Sequence, residues 1–313
     1  KTIVMKSVKL FTPASVANVS CGFDVLGFCL DPVGDDMIIR KSAEKGIRIT
    51  KITGQDLPLD VHQNVAGVAA MALLEAHPSE YGFEIEINKR IKAGSGIGSS
   101  AASSAGAVFG INHLLGSPYT KHELINFAMQ GEKLASGSAH ADNVSPVLLG
   151  GFTLVRSIAP MDVIKLPTPK ELVAVIIHPK IELKTSHARA ILKKTVTLKS
   201  AIQQWGNLGA LVSGLYSDDY DLISRSLVDE IIEPYRAMLI PEFAKLKEAS
   251  MNAGALGCGI SGSGPSVYAL TKGFENAENV GLAMRKVMQK LGIDFEVHVS
   301  KINEEGIKIL SEE

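Results

Sequence analysis

Lys92 to Ala107 reads KAGSGIGSSAASSAGA, and the rest of the chain takes its meaning from it. Gly94, Gly96 and Gly98 alternate with small residues, then two serines open an alanine-rich run. Glycine at that density lets the backbone adopt positive φ and approach a ligand closely. The run Ser99 to Leu115 is small or apolar throughout and predicts a tightly packed buried helix, with Ser99 or Ser100 at its N-cap or in its first turn. A glycine-rich loop feeding a helix N-terminus offers free N–H groups and the positive end of a dipole, which suits phosphate. The P-loop pattern fails because no lysine follows Gly98, and the dinucleotide fingerprint meets Ser99 where its third glycine belongs. A glycine/alanine turn that merely packs closely is the competing reading.

Outside this stretch the composition is that of an ordinary globular chain, with 46% hydrophobic and 21% charged residues among 313. That length suits two domains or one large one. Thirty-two basic side chains balance 33 acidic ones, so no nucleic-acid partner and no membrane surface is expected. No apolar run reaches the roughly 18 to 20 residues of a membrane helix. Cys21, Cys29 and Cys258 are too few, and wrongly spaced, for a disulfide framework or structural zinc, which points to a reducing cytoplasm. Lys1-Thr2-Ile3 reads as strand, and no signal peptide is expected.

In chain order, Ser7 to Thr12 reads as a strand, followed by an ordered loop Pro13 to Gly27 that carries Asn18 and Asp24 among glycines. Asp31 to Arg40 and Gly46 to Ile52 suggest hairpins. Asn64 caps a small-residue helix, and Phe83 to Asn88 alternates as a strand leading into the glycine loop. Thr120 to Leu134 is an amphipathic helix that includes Glu132. His140, Asp142 and Asn143 follow in a small-residue turn, and Leu148-Leu149-Gly150-Gly151-Phe152 leads into an apolar strand. Pro160, Pro167 and Pro169 then punctuate the chain, so the domain boundary is placed near residue 160, giving domains 1–160 and 161–313.

Beyond it come a strand at Leu172 to Ile177 and a helix capped by Thr185 that projects Arg189. Further helices follow, interrupted by Glu233-Pro234-Tyr235-Arg236. Gly254 to Ser266 holds five glycines in eleven residues and reads as a close-approach loop between a helix and a strand. An amphipathic helix at Glu275 to Leu291 and an alternating strand at Asp294 to Ser300 close the chain. Mixed parallel and antiparallel elements with helices on one face of each sheet argue an α+β fold.

Gly96-Ile97-Gly98-Ser99-Ser100-Ala101-Ala102-Ser103 resembles the nucleotide loop of the GHMP kinases, with Lys92 in place of the usual proline and Ile97 in place of leucine. The stretch Pro13 to Gly27 resembles the N-terminal motif of the homoserine kinase branch, and His140-Ala141-Asp142-Asn143 matches that branch's form of its segment. Ser261-Gly262-Ser263-Gly264-Pro265 resembles the third motif, which folds back on the nucleotide loop.

The resemblance covers essentially the whole chain. It implies a two-domain GHMP-type fold and transfer of the γ-phosphoryl group of ATP to the hydroxyl of L-homoserine in threonine biosynthesis. On this reading Asn64 and the run Lys92, Ala93, Gly94, Ser95, Gly96, Ile97, Gly98, Ser99 and Ser100 bind ATP, and Ser100 with Glu132 supports Mg²⁺. Asp24 takes the substrate ammonium, Arg189 and Arg236 grip its carboxylate, and Asn18, Thr185 and Gly262 complete the substrate side. His140, Asp142 and Asn143 lie at the reacting hydroxyl, with Asn143 its contact and Asp142 supporting from behind. Other members act on mevalonate or sugars, and a silent metabolite sensor would share the fold. Some members dimerise, so a homodimer is consistent with the resemblance.

Overall fold

The computed structural model describes residues 6–137 and 140–313; the strand reading of Lys1-Thr2-Ile3 and the Ser138-Ala139 part of the histidine turn lie outside them. Two sheets and ten α-helices make up the described chain. β1 (Ser7–Val19) and β2 (Gly22–Ser42) form one long antiparallel hairpin turning at Ser20-Cys21. β4 (Gly82–Asn88) lies beside β2, and β3 (Ile47–Thr53) pairs with β4 in parallel. β5 (Phe152–Ile158) joins the first part of β2, and β6 (Met161–Leu166) joins β5. The second sheet is antiparallel, in the order β10 (Phe295–Lys301), β7 (Leu172–Pro179), β9 (Val267–Lys272), β8 (Ala255–Ile260). β11 (Lys308–Glu312) returns to the first sheet beside β1.

The long hairpin belongs to two cores. Val8, Leu10, Met37 and Ile39 pack under α1 (Val65–Ala76), α2 (Ser99–Leu114), α3 (Lys121–Ser136) and α4 (Val144–Leu149). Ala14, Val16, Leu26 and Phe28 pack instead against Ala174, Ile176 and Tyr268 of the second sheet. Strand period 2 divides β7 in the same way. Its Val173, Val175 and Ile177 face α9 (Phe243–Asn252) and α10 (Phe274–Gln289), while Ala174 and Ile176 face the hairpin. The remaining helices are α5 (Thr185–Ala190), α6 (Leu198–Ser217), α7 (Tyr220–Ser226) and the single turn α8 (Glu233–Arg236). No helix among the described residues is long and apolar enough to cross a membrane.

Several local expectations are corrected. Pro13 to Gly27 is paired strand rather than loop; register shifts at Pro13/Ser15 and Ala17/Val19 let Asn18 (φ 56°) and Asp24 (φ 58°) leave the regular pleat while the ladder continues. β2 and β3 do not form a hairpin, because β4 inserts between them through the α1 crossover. Leu148-Leu149 ends a helix, not a strand. Ala255 to Ile260 is strand: a Cβ at Gly257 would press on Leu227 and one at Gly259 on Tyr268, so these glycines make room for side chains. The cap of α5 is Lys184, with Thr185 its first residue. The proline-rich turn near residue 160 joins two strands of one sheet; the chain enters the second sheet only at Leu172.

α1, α2 and α3 approach closely at Gly131, where an added Cβ would run into Ser104 Oγ and lie 2.6 Å from the Val65 carbonyl. This contact carries Glu132 to the mouth of α2. Helix propensity favours Gly131→Ala by about 1 kcal/mol, but overpacking of this junction costs about 1–3 kcal/mol. Urea unfolding is expected to find the variant less stable than the native chain; a gain in stability would show that the junction relaxes freely.

Candidate active site

A cleft of about 690 Å³ opens between the mouth of α2 and the start of α5. Its floor is the glycine loop. Gly94, Gly96 and Gly98 all have positive φ, between 72° and 81°, and Gly98 is the N-cap of α2. The first intrahelical bond runs from the Ala102 N–H to the Gly98 carbonyl, so the amides before it have no helical acceptor and face an opening lined by Gly98, Ser99 and Ser100. Loop 261–266 holds this backbone from behind. Ser261 Oγ donates to the Gly96 carbonyl at 2.7 Å and Ser266 Oγ to the Ser95 carbonyl at 2.6 Å. A side chain at Gly96 would lie 2.5 Å from the Gly264 carbonyl, so only glycine permits that approach.

Lys89 and Asp35 tie the loop to β2 and β4. The Lys89 ammonium, buried, donates to Asp35, to the Ser99 carbonyl at 3.0 Å and to Ser103 Oγ at 3.1 Å. Burial lowers its pKa, and Asp35 opposes that shift. The other oxygen of Asp35 accepts the Arg90 and Ile91 amides at 2.7 and 2.8 Å, fixing the chain just before the glycines. Glu132 of α3 lies next to Ser100. Burial pushes its carboxyl up to about 7, the Ser100 hydroxyl opposing, and its Oε1 has no hydrogen-bond partner. A buried, unsatisfied carboxylate oxygen beside a hydroxyl at the phosphate mouth suits a hard cation with oxygen ligands. No group of three or more His, Cys, Asp or Glu side chains gathers as a metal cluster among the described residues.

The opposite wall is charged and aromatic. Arg189 donates twice to Asp24, at 2.7 and 3.0 Å, in a forked pair. Arg236, buried, donates to the Ala188 carbonyl and the Gly262 carbonyl, each at 3.0 Å. Burial and then the neighbouring Arg189 bring its pKa down to about 10. Both guanidinium groups lie over the Phe23 ring, at 5.2 and 4.9 Å from its centre. Asn18 braces the group: its Oδ1 accepts the Asp24 amide and its Nδ2 donates to Gly262, both at 2.8 Å. Thr185 Oγ1 is 3.1 Å from Ser263 Oγ. His140 Nδ1 is 3.5 Å from Asp24, and burial lowers its pKa, keeping the ring neutral.

Between the two walls lie Asp142 and Asn143. Asp142 is almost fully buried; burial and then the Asp24 charge push its carboxyl up to about 7, against a bond from the Asn18 amide. Asn143 Oδ1 accepts from Ser15 Oγ at 2.7 Å.

The cleft thus brings together Asn18, Asp24, Ala93, Gly94, Ser95, Gly96, Gly98, Ser99, Ser100, Glu132, His140, Asp142, Asn143, Thr185, Arg189, Arg236 and Gly262. Three expected nucleotide residues do not line it. Asn64 spends its side chain as the cap of α1, accepting from Ala66 and donating to the Pro58 carbonyl. Ile97 is buried in the core, and Lys92 is exposed beside the loop. Lys89, Asp35, Phe23 and Ser15 were missed. Lys89 was findable, since the alternation of Phe83, Ile85 and Ile87 puts it on the buried face. Nothing local marked the others.

Comparison with known proteins agrees with this geometry. Residues 64–151 match the model of the GHMP kinases N terminal domain and 198–290 that of the GHMP kinases C terminal domain. A homoserine kinase of Chlorobium phaeobacteroides is 46% identical over 98% of this chain and 100% of its own length. One of Chlorobaculum tepidum is 45% identical over 98% and 99%. The crystal structure of a homoserine kinase from Cytophaga hutchinsonii superposes with a TM-score of 0.94 at 51% identity, covering 97% of this chain and 98% of that one. The crystal structure of L. major mevalonate kinase shares the fold with a TM-score of 0.69 at 13% identity. The chain belongs to the GHMP kinases, in their homoserine kinase branch.

Proposed function

We propose that this enzyme transfers the γ-phosphoryl group of ATP to the side-chain hydroxyl of L-homoserine, giving O-phospho-L-homoserine for threonine biosynthesis. One observation carries the reading: Asp24, Arg189 and Arg236 converge on one wall of the cleft whose floor is the amide-rich mouth of α2. A substrate with both an ammonium and a carboxylate has a use for an acid and two guanidinium groups; mevalonate has a carboxylate but no ammonium for Asp24, and a neutral sugar has neither. In the ligand-free chain Asp24 and Arg189 neutralise each other, and a zwitterion can substitute its own charges for theirs without leaving either unpaired.

Phosphoryl transfer needs alignment and charge neutralisation more than covalent help. The amides of Gly96 to Ser100 hold phosphate oxygens, with Lys89 behind them as a fixed positive charge. Ser100 and Glu132 would hold Mg²⁺, which when bound would neutralise charge on the phosphates. The substrate hydroxyl oxygen forms its bond to the γ-phosphorus as the bond to the bridging oxygen of ADP breaks. Asn143 contacts that hydroxyl but, as an amide, cannot take its proton, which passes to the transferred phosphoryl group. Asp142 holds the Asn18 amide and supports the acceptor side from behind. Three free, buried cysteines, each with burial pushing its thiol up to about 12, support a reducing cytoplasm as the setting.

A coupled assay of ADP release with ATP and Mg²⁺ is expected to give turnover with L-homoserine at least about 10³-fold above mevalonate or galactose, since mevalonate brings no ammonium to Asp24 and galactose no charge to replace the Asp24–Arg189 pair. Binding of L-homoserine without turnover would favour a sensor instead.

Asp142 separates a supporting group from a base. Its carboxyl sits at about 7 in the fold against an ordinary value of 3.8, so its contribution to stability is complete below 3.8 and is lost as pH rises through 7. Asp142→Asn is therefore expected to melt at a higher temperature than the native chain at pH 8, by a margin that shrinks as pH falls from 7 toward 4. Its kcat is expected to fall by less than about tenfold, whereas a base contributes roughly 10²–10⁴. A loss of several orders of magnitude in a folded variant would make Asp142 the base.

A further inference from the structure

Ser15 stands in no motif role assigned above, yet it touches three parts of the reaction centre. It is fully buried on β1, beside the register shift at Pro13/Ser15. Its N–H donates to the Ile97 carbonyl at 3.1 Å, inside the phosphate loop. Its hydroxyl lies against Gly98, where an added Cβ would collide with Oγ and lie 3.1 Å from Asn143 Oδ1. Its Oγ donates to Asn143 Oδ1 at 2.7 Å, the usual length of an O–H···O bond. The amide oxygen of Asn143 is thereby taken. The NH₂ half of Asn143, which has no hydrogen bond to any described residue, is left for a ligand in the cleft.

We infer that Ser15 is a positioning residue that locks the Asn143 amide with its NH₂ toward the acceptor hydroxyl, in fixed register with the phosphate loop at Gly98. The inference rests on the proposed phosphorylation of L-homoserine and deepens it. A hydroxyl oxygen that accepts one N–H from Asn143 has its remaining lone pair free for the γ-phosphorus, and its proton free to leave toward the phosphoryl oxygens. Were the amide turned over, its oxygen would instead accept the substrate O–H and hold the proton on the nucleophile. Ser15 removes that second orientation, and because it also grips Ile97 it fixes the distance between the acceptor contact and the amides of α2.

The test is a double-mutant cycle in the full chain: native, Ser15→Ala, Asn143→Ala and the double variant, assayed with ATP, Mg²⁺ and L-homoserine. Turnover by the native enzyme establishes the activity on which the inference rests, and its absence would overturn that activity and the inference together. With turnover in hand, Ser15→Ala is expected to lose roughly 10- to 100-fold in kcat, the scale of a small misplacement at a reacting centre, with KM for ATP and for L-homoserine changed less than about threefold. Phosphate released to water per phosphohomoserine formed is expected to rise, because the acceptor is misaligned while the triphosphate is still held. The double variant is expected to match Asn143→Ala, and Ser15→Thr, which keeps the hydroxyl, to recover most of the lost kcat. Unchanged kcat in Ser15→Ala would overturn the positioning role while leaving the homoserine reading intact. Multiplicative losses in the double variant would likewise overturn it.

Discussion

The site depends on one backbone approach: the main chain at Gly96 passes so close to loop 261–266 that no side chain fits between them. Ser261 and Ser266 donate to the loop carbonyls from that side, and Ser15 contacts Ile97 and Gly98 from the other. Gripped on both sides, the loop keeps positive φ at three glycines and leaves the first-turn amides of α2 with no acceptor of their own. The clamp also joins the two sheets, because loop 261–266 connects β8 to β9 while the glycine loop follows β4. The cleft is therefore where two separately packed cores are made to meet.

Electrostatics follow from that placement. Charges taken out of water need partners, and those at this site are largely paired. Lys89 answers Asp35 beneath the loop, and Arg189 answers Asp24, the pair that the proposed zwitterion would replace. Glu132 is the exception, with one oxygen buried and unsatisfied next to Ser100. An unsatisfied group of this kind costs about 1–3 kcal/mol, which the proposed cation would relieve.

Much of this was legible in the sequence, and the parts that were not share a physical reason. The glycine loop and its helix are local: alternating glycines, then an alanine run, dictate both backbone and burial. The alternation Phe83, Ile85, Ile87 marked β4 as a strand; carried one step further it reaches Lys89, which the sequence reading passed over. Pro13 to Gly27 looked like loop because Asn18 and Asp24 are turn formers, whereas pairing with distant β5 and bulges in the ladder decide its state. Asn64 shows the limit of a single residue type, since a cap and a base contact look alike until the Pro58 carbonyl is in place. Ser15 lies within the Pro13–Gly27 motif, but its role stayed hidden because its partner, Asn143, is 128 positions away.

The central claim is that a wall of paired charges reads a zwitterion while the floor holds the triphosphate. The most direct measurement compares kcat/KM for L-homoserine with 3-aminopropan-1-ol, which lacks the carboxylate, and with 4-hydroxybutyrate, which lacks the ammonium. Each deletion removes a charge-assisted contact and leaves its protein partner unpaired, so a fall of at least about 10²-fold is expected for both. Comparable kcat/KM for either truncated alcohol would contradict the account.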